Sequence, residues 1–212
     1  MNNKIKNSLC IIIFCICNDL FPIGLTLGGN LSNFKINPAP INEPTFILGK
    51  KIGVLHEKYD PDALFSIEYG LVFEQKGRKT SFDDYQNATS QLIQTYSYFS
   101  KLNYLTAPIT IRWNLGDISN RFFINGGLYY SKLIYRRGYY KPEHFVYQNF
   151  KTKFLEKDLF YKNSDLGYMI GIGKQFNTFQ VHLKTIRGLK DISINSSKIN
   201  TLCYEFSLCF QL

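Results

Sequence analysis

The last twelve residues of the chain alternate between apolar and polar side chains without a break. Every even position from Leu202 to Leu212 is apolar or aromatic, whereas the odd positions from Thr201 to Gln211 carry Thr, Cys, Glu, Ser or Gln. Successive side chains of an extended strand point to opposite faces, so this period of two predicts a β-strand with one apolar face. Such a strand requires a sheet whose apolar face is covered by protein or lipid.

Seven further segments show the same alternation, two of them less clearly. The clear segments are Phe65–Glu74, Tyr104–Asn114, Phe122–Tyr135, Asp165–Phe176 and Phe179–Arg187, and the weaker ones are Gly24–Asn33 and Phe46–Leu55. Lys50 falls in the apolar register of its segment, which indicates a β-bulge or a wrong boundary. Pro108 cannot donate a ladder hydrogen bond and indicates another bulge. The pattern predicts eight strands, and a composition with 16% aromatic and 19% charged residues favours them over a disordered chain or a charged helical bundle.

The lengths of the connections indicate where the apolar face points. In chain order they are alternately long and short, at Lys35–Thr45, His56–Ala63, Gly77–Lys101, Leu115–Asn120, Arg136–Ser164, Asn177–Thr178 and Gly188–Lys198. Outer-membrane barrels join their strands by short periplasmic turns and longer external loops. We therefore predict an all-β, eight-stranded antiparallel up-and-down transmembrane β-barrel with both ends in the periplasm. The alternative is a secreted soluble barrel, lipocalin-like, that binds a hydrophobic ligand inside.

Aromatic residues on the apolar faces favour the membrane alternative. Those near the periplasmic strand ends are Phe65, Trp113, Phe122, Phe179 and Phe210, and those toward the outer ends are Phe73, Tyr130, Tyr168 and Tyr204. Two such bands are typical of the aromatic girdles at the two membrane interfaces. The expected location is the bacterial outer membrane, with its lipid as a direct partner.

The amino terminus is predicted to be a secretory signal. Lys4 and Lys6 precede an apolar run of eight residues, Leu9–Ile16, and polar residues follow it. The run is too short for a transmembrane helix, which needs about 20 residues. We expect cleavage near Cys17, so that residues 1–17 are a signal peptide and residues 18–212 form the barrel domain. A buried amino-terminal strand is the alternative.

The sequence contains no recognisable motif for catalysis, cofactor binding or metal binding. His56, His144 and His182 are too far apart for a metal-binding spacing, and no nucleophile elbow or phosphate loop is present. Cys203 and Cys209 would lie about 20 Å apart on one strand, beyond disulfide reach. We expect no enzyme and no cofactor. A barrel enzyme built from loop residues around His144 is the alternative.

The polar faces of the strands place charged side chains inside the barrel. An eight-stranded barrel has an interior that side chains fill, and the predicted inward charges are Glu68, Glu74, Arg112, Asp165, His182, Lys184 and Glu205. Buried charges need partners, and strand adjacency predicts that Glu68 pairs with Arg112. By the same reasoning Glu205 pairs with Lys184 or His182, and the barrel is plugged.

The excess of basic residues is concentrated in one predicted external loop. The chain has a net charge of +9, and Arg136–Ser164 alone holds seven basic and three acidic residues interleaved with aromatic side chains. In a cytosolic protein this pattern would indicate RNA, but export argues against nucleic acid and favours an anionic lipid or surface glycan. A solvated hairpin extension without a ligand is the alternative.

Several short motifs follow one another along the chain: Tyr104–Pro108, Phe123–Tyr129, Asp165–Gly167 with Gly171 and Gly173, and Arg187–Ile192. In this order they resemble the PorT-like outer-membrane β-barrel family, and the resemblance spans residues 24–212. It implies an eight-stranded outer-membrane barrel and, for the name-giving members, a part in protein secretion across the outer membrane. It brings no catalytic residues. The sequence thus predicts a non-enzymatic structural, adhesive or accessory component of the cell envelope.

Overall fold

Eight β-strands account for most of the residues that the structure describes. The structure is a computed structural model and describes residues 23–37, 44–59, 64–86, 91–116, 120–142, 161–193 and 198–211. The strands are β1 (Ile23–Asn37), β2 (Ile47–Tyr59), β3 (Phe65–Gln86), β4 (Gln91–Leu115), β5 (Phe122–Pro142), β6 (Ser164–Gln175), β7 (Phe179–Gly188) and β8 (Lys198–Gln211). In these ranges no helix is long and apolar enough to cross a membrane. The predicted signal peptide lies outside the described residues.

The strands form one closed antiparallel barrel. Each strand pairs with the next along the chain, and β1 pairs with β8 from Gly24–Gln211 to Asn37–Lys198. Closure leaves the ring of strands without an edge, and every strand has a hydrogen-bonded neighbour on both sides. The prediction of an eight-stranded up-and-down barrel is confirmed.

β3, β4 and β5 extend well beyond the ends that alternation predicted, and β1, β2 and β8 extend by a few residues. The expected connection Gly77–Lys101 is wrong, because β3 and β4 stay paired from Gly77–Lys101 to Gln86–Gln91. The start of the expected loop Arg136–Ser164 is also wrong, since β5 continues to Pro142 and pairs it with Tyr96. We call the residues 77–86, 91–101 and 136–142 the outer extension. In the outer extension the strands continue beyond the band of outward apolar side chains around the barrel, which we call the apolar belt. The outer extension therefore lacks the alternation of apolar and polar residues that marks the other strands.

The two expected bulges are not present, and two register shifts lie elsewhere, one of them between Asp84 and Tyr85 in the ladder between β3 and β4. The register of β2 with β1 is continuous across Lys50, and Lys50 points outward. The register is also unchanged across Pro108, where the ladder between β3 and β4 only skips two rungs. The observed shift between β4 and β5 falls between Asn103 and Tyr104, where the outer extension begins. A proline that cannot donate can therefore be tolerated as a local gap in the ladder.

The barrel has an apolar outside and a polar inside. Phe206 on β8 is 50% exposed, whereas its neighbour Glu205 is 3% exposed inside the barrel. The same outward position is taken on other strands by Leu27, Ile52, Ile67, Leu71, Ile109, Ile111, Leu128, Ile170 and Leu183. A water-soluble lipocalin-like barrel would need the opposite arrangement, so the structure does not favour that alternative.

Aromatic side chains form a band at the end of the barrel where β1 begins and β8 ends. Phe65 of β3 stacks on Trp113 of β4 with ring centroids 6.3 Å apart. Phe179 of β7 lies 4.7 Å from Phe176 and 6.4 Å from Phe210 of β8, measured between centroids. This band has the position expected for an interfacial girdle.

We expect Phe206→Arg to cost about 2–4 kcal/mol of unfolding free energy, because the arginine would lie near the middle of the apolar belt. Phe210→Arg is the matched control on the same face of the same strand, at the interfacial band, and should cost about 0–1 kcal/mol. The measurement is reversible urea unfolding from phosphatidylcholine vesicles. Equal losses for the two variants would contradict a lipid-facing belt.

Candidate functional site: the charged lumen and its outer cap

The lumen holds ten charged side chains whose formal charges cancel. All ten are buried among the described residues: the acids Glu57, Glu68, Glu74, Asp165 and Glu205 and the bases Lys51, Lys76, Arg112, Arg121 and Lys184. They face inward because their strands alternate, with apolar neighbours facing outward. Five negative and five positive charges make the filled interior neutral, which a low-dielectric space requires.

Arg112 is the centre of the first charge cluster, which we call the Arg112 network. Its side chain is fully buried, and its guanidinium donates from Nη1 to Glu57 Oε2 at 2.6 Å and from Nη2 to Glu68 Oε2. Nη2 also donates to Gln180 Oε1 at 3.0 Å, and the guanidinium carbon lies 4.1 Å from the centre of the Phe123 ring. One arginine therefore bridges two carboxylates on neighbouring strands.

The Arg112 network continues to two more cations and a histidine. Lys184 Nζ donates to Glu68 Oε1 at 2.9 Å, and Arg121 Nη2 lies 3.9 Å from Glu57 Oε1. His182 Nε2 lies 3.1 Å from Gln180 Oε1, and its ring packs edge-on against Phe123. The five charges of this network come from β2, β3, β4, β7 and the residue before β5.

The structure brings some of the predicted partners together and separates others. Glu68 and Arg112 are in contact, as strand adjacency suggested. The predicted pairing of Glu205 with Lys184 or His182 is wrong, because Glu205 Oε1 accepts from Lys51 Nζ at 2.6 Å. Lys184 is directly opposite Glu205 in the ladder between β7 and β8, yet its ammonium reaches across the lumen to Glu68.

The pair of Lys51 and Glu205 spans a strand that lies between them. Lys51 pairs with Gly28 of β1, and Gly28 pairs with Ser207 of β8. Gly28 has no side chain, so it leaves the inner surface of β1 open for the lysine to pass over. A contact between next-nearest strands does not follow from sequence alternation, and Lys51 was missed for that reason.

Lys76 is the centre of a second cluster nearer the outer extension, the Lys76 network. Its ammonium lies 2.8 Å from Glu74 Oε1 and 3.8 Å from Asp165 Oδ2. It also lies 4.4 Å from the centre of the Tyr129 ring. Tyr129 Oη and Thr201 Oγ1 donate to the same Asp165 oxygen at 2.9 and 2.8 Å. Lys76 points inward in the same register as Glu68 and Glu74. The sequence analysis missed it because the predicted strand ended at Glu74.

An apolar cluster closes the lumen above the Lys76 network, and we call it the outer cap. It consists of Phe34, Leu102, Tyr104, Leu133, Tyr161, Ile192 and Ile199. Tyr161 and Ile192 come from the connections that follow β5 and β7, and Lys162 N donates to Ile192 O at 2.6 Å between these connections. Tyr104 links the two layers, since Lys76 Nζ lies 5.4 Å from its ring centre.

Asp191 anchors the connection between β7 and β8 to the cap. Its Oδ1 accepts from the backbone N–H groups of Ser193 and Ile199, both at 2.9 Å, and Lys162 Nζ donates to Oδ2 at 3.2 Å. Slight desolvation opposes ionisation, but these N–H donors and the ammonium together hold the pKa of the Asp191 carboxyl below its usual range. The carboxylate therefore stays ionised at neutral pH and keeps the connection folded over the barrel mouth.

The inward groups pack against one another and pair their charges. In the described part of the chain, no three His, Cys, Asp or Glu side chains are grouped so that they could hold a metal ion. Cys203 and Cys209 are free thiols buried in the lumen. Residues 143–160 lie outside the described residues. They include His144 and the middle of Arg136–Ser164, which we call the basic segment.

Comparisons with known proteins agree with this architecture. A family model described as outer membrane protein beta-barrel domain matches residues 18–193. It supports that general family, and the narrower PorT-like resemblance, with its link to secretion, stays a prediction. No match was found among curated proteins.

Several solved structures are similar to the chain. Ail, the attachment invasion locus protein of Yersinia pestis, in complex with the heparin analogue sucrose octasulfate, is 7% identical, with 91% of this chain and 99% of that chain covered and a TM-score of 0.42. Neisserial surface protein A is 7% identical, with coverages of 90% and 97% and a TM-score of 0.42. A major outer membrane protein from Thermus thermophilus is 10% identical, with coverages of 90% and 99% and a TM-score of 0.41.

We expect Arg112→Ala to cost about 3–5 kcal/mol of unfolding free energy, because Glu57 and Glu68 would lose their shared buried counter-charge. Arg137→Ala, on the exposed face of the outer extension, should cost less. Combining Arg112→Met with Glu68→Gln removes one charge of each sign and should recover part of the loss. The measurement is urea unfolding in detergent micelles, and equal costs for Arg112→Ala and Arg137→Ala would contradict this account of the lumen.

Proposed function

Because the chain belongs to the outer membrane protein beta-barrel domain family, it lies in the bacterial outer membrane, and we propose that it is a non-conducting, non-enzymatic barrel. In this proposal the protein serves the cell envelope as a structural, adhesive or accessory component. The signal peptide at residues 1–17 would direct its export, and residues 18–212 would form the barrel domain. The match to the family model begins at residue 18, which supports this division.

The filled lumen is the observation that carries the proposal. Eight strands leave an interior only wide enough for side chains, and here two charge networks and the outer cap occupy it in successive layers. Moving an ion through the barrel would require separating Arg112 from two carboxylates and Lys76 from Glu74. Each separation leaves a buried charge without its partner, which is strongly unfavourable.

The outer extension gives the barrel a folded surface on one side of the membrane. β1 begins and β8 ends at the opposite end of the barrel. We therefore orient the outer extension toward the cell exterior, in agreement with the usual position of the longer connections. Ten residues of β3 from Gly77 to Gln86 span about 33 Å along the strand. A paired sheet of this length suits display or contact better than a loop without secondary structure.

The positive charge of the basic segment supports the proposal that an anionic lipid or a surface glycan binds this exterior face. Arg136 donates from Nη1 to Tyr161 O at 3.2 Å and from Nη2 to Asn163 Oδ1 at 2.9 Å, so it ties the segment to the cap. Arg137 is exposed on the neighbouring position of β5. Nucleic acid is not among the proposed partners, since the proposed face is outside the cell.

We expect the purified protein to give no stable unitary conductance in planar lipid bilayers. Insertion is verified by the shift in gel migration between unheated and boiled samples, which closed barrels commonly show, and a porin added to the same bilayer verifies that channels can be detected. Stable, large conductance steps from the wild-type protein would overturn the proposal and indicate a diffusion pore.

A further inference from the structure

An apolar groove lies on the outer wall of the barrel, across β5, β6 and β7, and we call it the β6 groove. Its volume is about 330 Å³, which is within the usual range of small ligand sites in proteins. The outward side chains that line it come from the three strands and are Phe122, Ile124, Ile172, Lys174, Val181 and Leu183. All of them except Lys174 are apolar, so the groove suits an apolar ligand that carries one anionic group.

The β6 groove extends from the level of the interfacial aromatic band toward the middle of the apolar belt. Lys174 lies at one end, two residues from Phe176 of the band. Leu183 lies at the other end and is the ladder partner of Phe206, which faces outward near the middle of the belt. The groove therefore has the depth and direction of a lipid chain, which runs from the headgroups toward the bilayer centre.

One short side chain leaves space for the groove. Val181 is shorter than the phenylalanine and the leucine at the outward positions on either side of it on β7. The long side chain of Lys174 is held against two rings, with Nζ 4.7 Å from the Phe122 centroid and 5.2 Å from that of Phe176. The ammonium therefore lies at the rim, and the floor of the groove stays apolar.

Lys174 gives the groove a positive end. Among the described residues its ammonium makes no ion pair, and its contacts are with the two rings. A cation at the edge of an apolar environment is stabilised by an anionic partner, and the aromatic band places this one at the level of lipid phosphates. Contact with the rings restrains the lysine, which lowers the entropy lost when it binds an anion.

We propose that the β6 groove holds one acyl chain of an anionic phospholipid whose phosphate is bound by Lys174. The chain covers the exposed apolar surface of Ile172 and Leu183, and the phosphate supplies the missing counter-charge. A second copy of the protein is a poorer occupant, because no acid is found among the described outward side chains of the wall. The orientation given under the proposed function assigns this lipid to the periplasmic leaflet, whereas the binding chemistry does not depend on that orientation.

The only tryptophan of the chain is a natural reporter for this site. Trp113 of β4 is the ladder partner of Ile124, which lines the groove. The test uses the folded full-length protein in phosphatidylcholine nanodiscs and measures quenching of Trp113 by lipids with brominated chains. Brominated phosphatidylglycerol is the anionic probe, and phosphatidylcholine with the same brominated chains is the zwitterionic comparison. Low mole fractions of the brominated lipid are used, so that a preferred site fills before the rest of the wall.

Two variants change the groove, and each has a matched control on β2. Lys174→Gln removes the charge at the rim, and Lys58→Gln removes an outward charge elsewhere on the wall. Val181→Phe fills the groove, and Val54→Phe makes the same substitution at another outward position. All four side chains face away from the lumen, and the shift in gel migration on boiling verifies that each variant is folded.

We expect the wild-type protein to bind phosphatidylglycerol about fivefold more tightly than phosphatidylcholine beside Trp113, as one lysine near a phosphate provides. Lys174→Gln and Val181→Phe should each reduce this preference to less than about twofold, whereas Lys58→Gln and Val54→Phe should leave it unchanged. Equal quenching of the wild type by the two lipids would overturn the proposal without any variant.

Other outcomes would also overturn it. They are a preference that survives Lys174→Gln or Val181→Phe, and an equal loss in either control. A protein dimer that Val181→Phe dissociates, detected by native mass spectrometry, would give the groove to a second copy instead. A lost preference in a protein that conducts no ions would refute this site alone, whereas steady conductance with the preference intact would refute the proposed function alone.

Discussion

Neutrality of the lumen is the constraint on which the rest of the structure depends. Ten charges share a space from which solvent is almost excluded, so each needs an opposite charge within reach. Arg112 meets this need by bridging Glu57 of β2 and Glu68 of β3, and Lys51 meets it by crossing β1 to Glu205 of β8. Two of these pairs, Arg112–Glu57 and Lys51–Glu205, connect strands that the backbone ladder does not join directly. They therefore fix the order of the ring from inside, while hydrogen bonds between neighbours fix it along the wall.

The sequence predicts the strands of the barrel wall well, but it predicts only some of the side-chain pairs in the lumen. Alternation identified β8 from Thr201 onward because lipid and lumen impose opposite demands on successive residues, and only its first residues were missed. Glu68 and Arg112 were expected to meet since they lie on adjacent strands. The partner of Glu205 was not predictable, because long side chains cross the lumen and their reach depends on small residues such as Gly28. Which charged side chains pair inside a barrel depends on the whole closed ring of strands rather than on any two of them.

The outer extension shows where alternation stops being informative. Beyond the apolar belt, the residues of β3 and β4 no longer repeat an apolar position every second residue, although the strands stay paired for ten further residues of β3. The sequence analysis missed the outer cap for a related reason. Tyr161 and Ile192 belong to connections, where apolar and polar residues do not alternate as they do in a strand. Both features lie on one side of the apolar belt. Among the described side chains, that side also carries most of the outward cations.

The direction of the side chains on β8 is the most direct test of the whole account. Nitroxide spin labels would be placed singly at Tyr204, Phe206 and Leu208 and at the inward positions Cys203, Ser207 and Cys209, in protein reconstituted in lipid vesicles. The account predicts strong collisions with dissolved oxygen at the three outward positions, with the highest value at Phe206. At the inward positions it predicts weak collisions both with oxygen and with a water-soluble nickel chelate. Strong access of the chelate to Ser207 would contradict the filled lumen, and shielding of Phe206 from oxygen would contradict the lipid-facing belt.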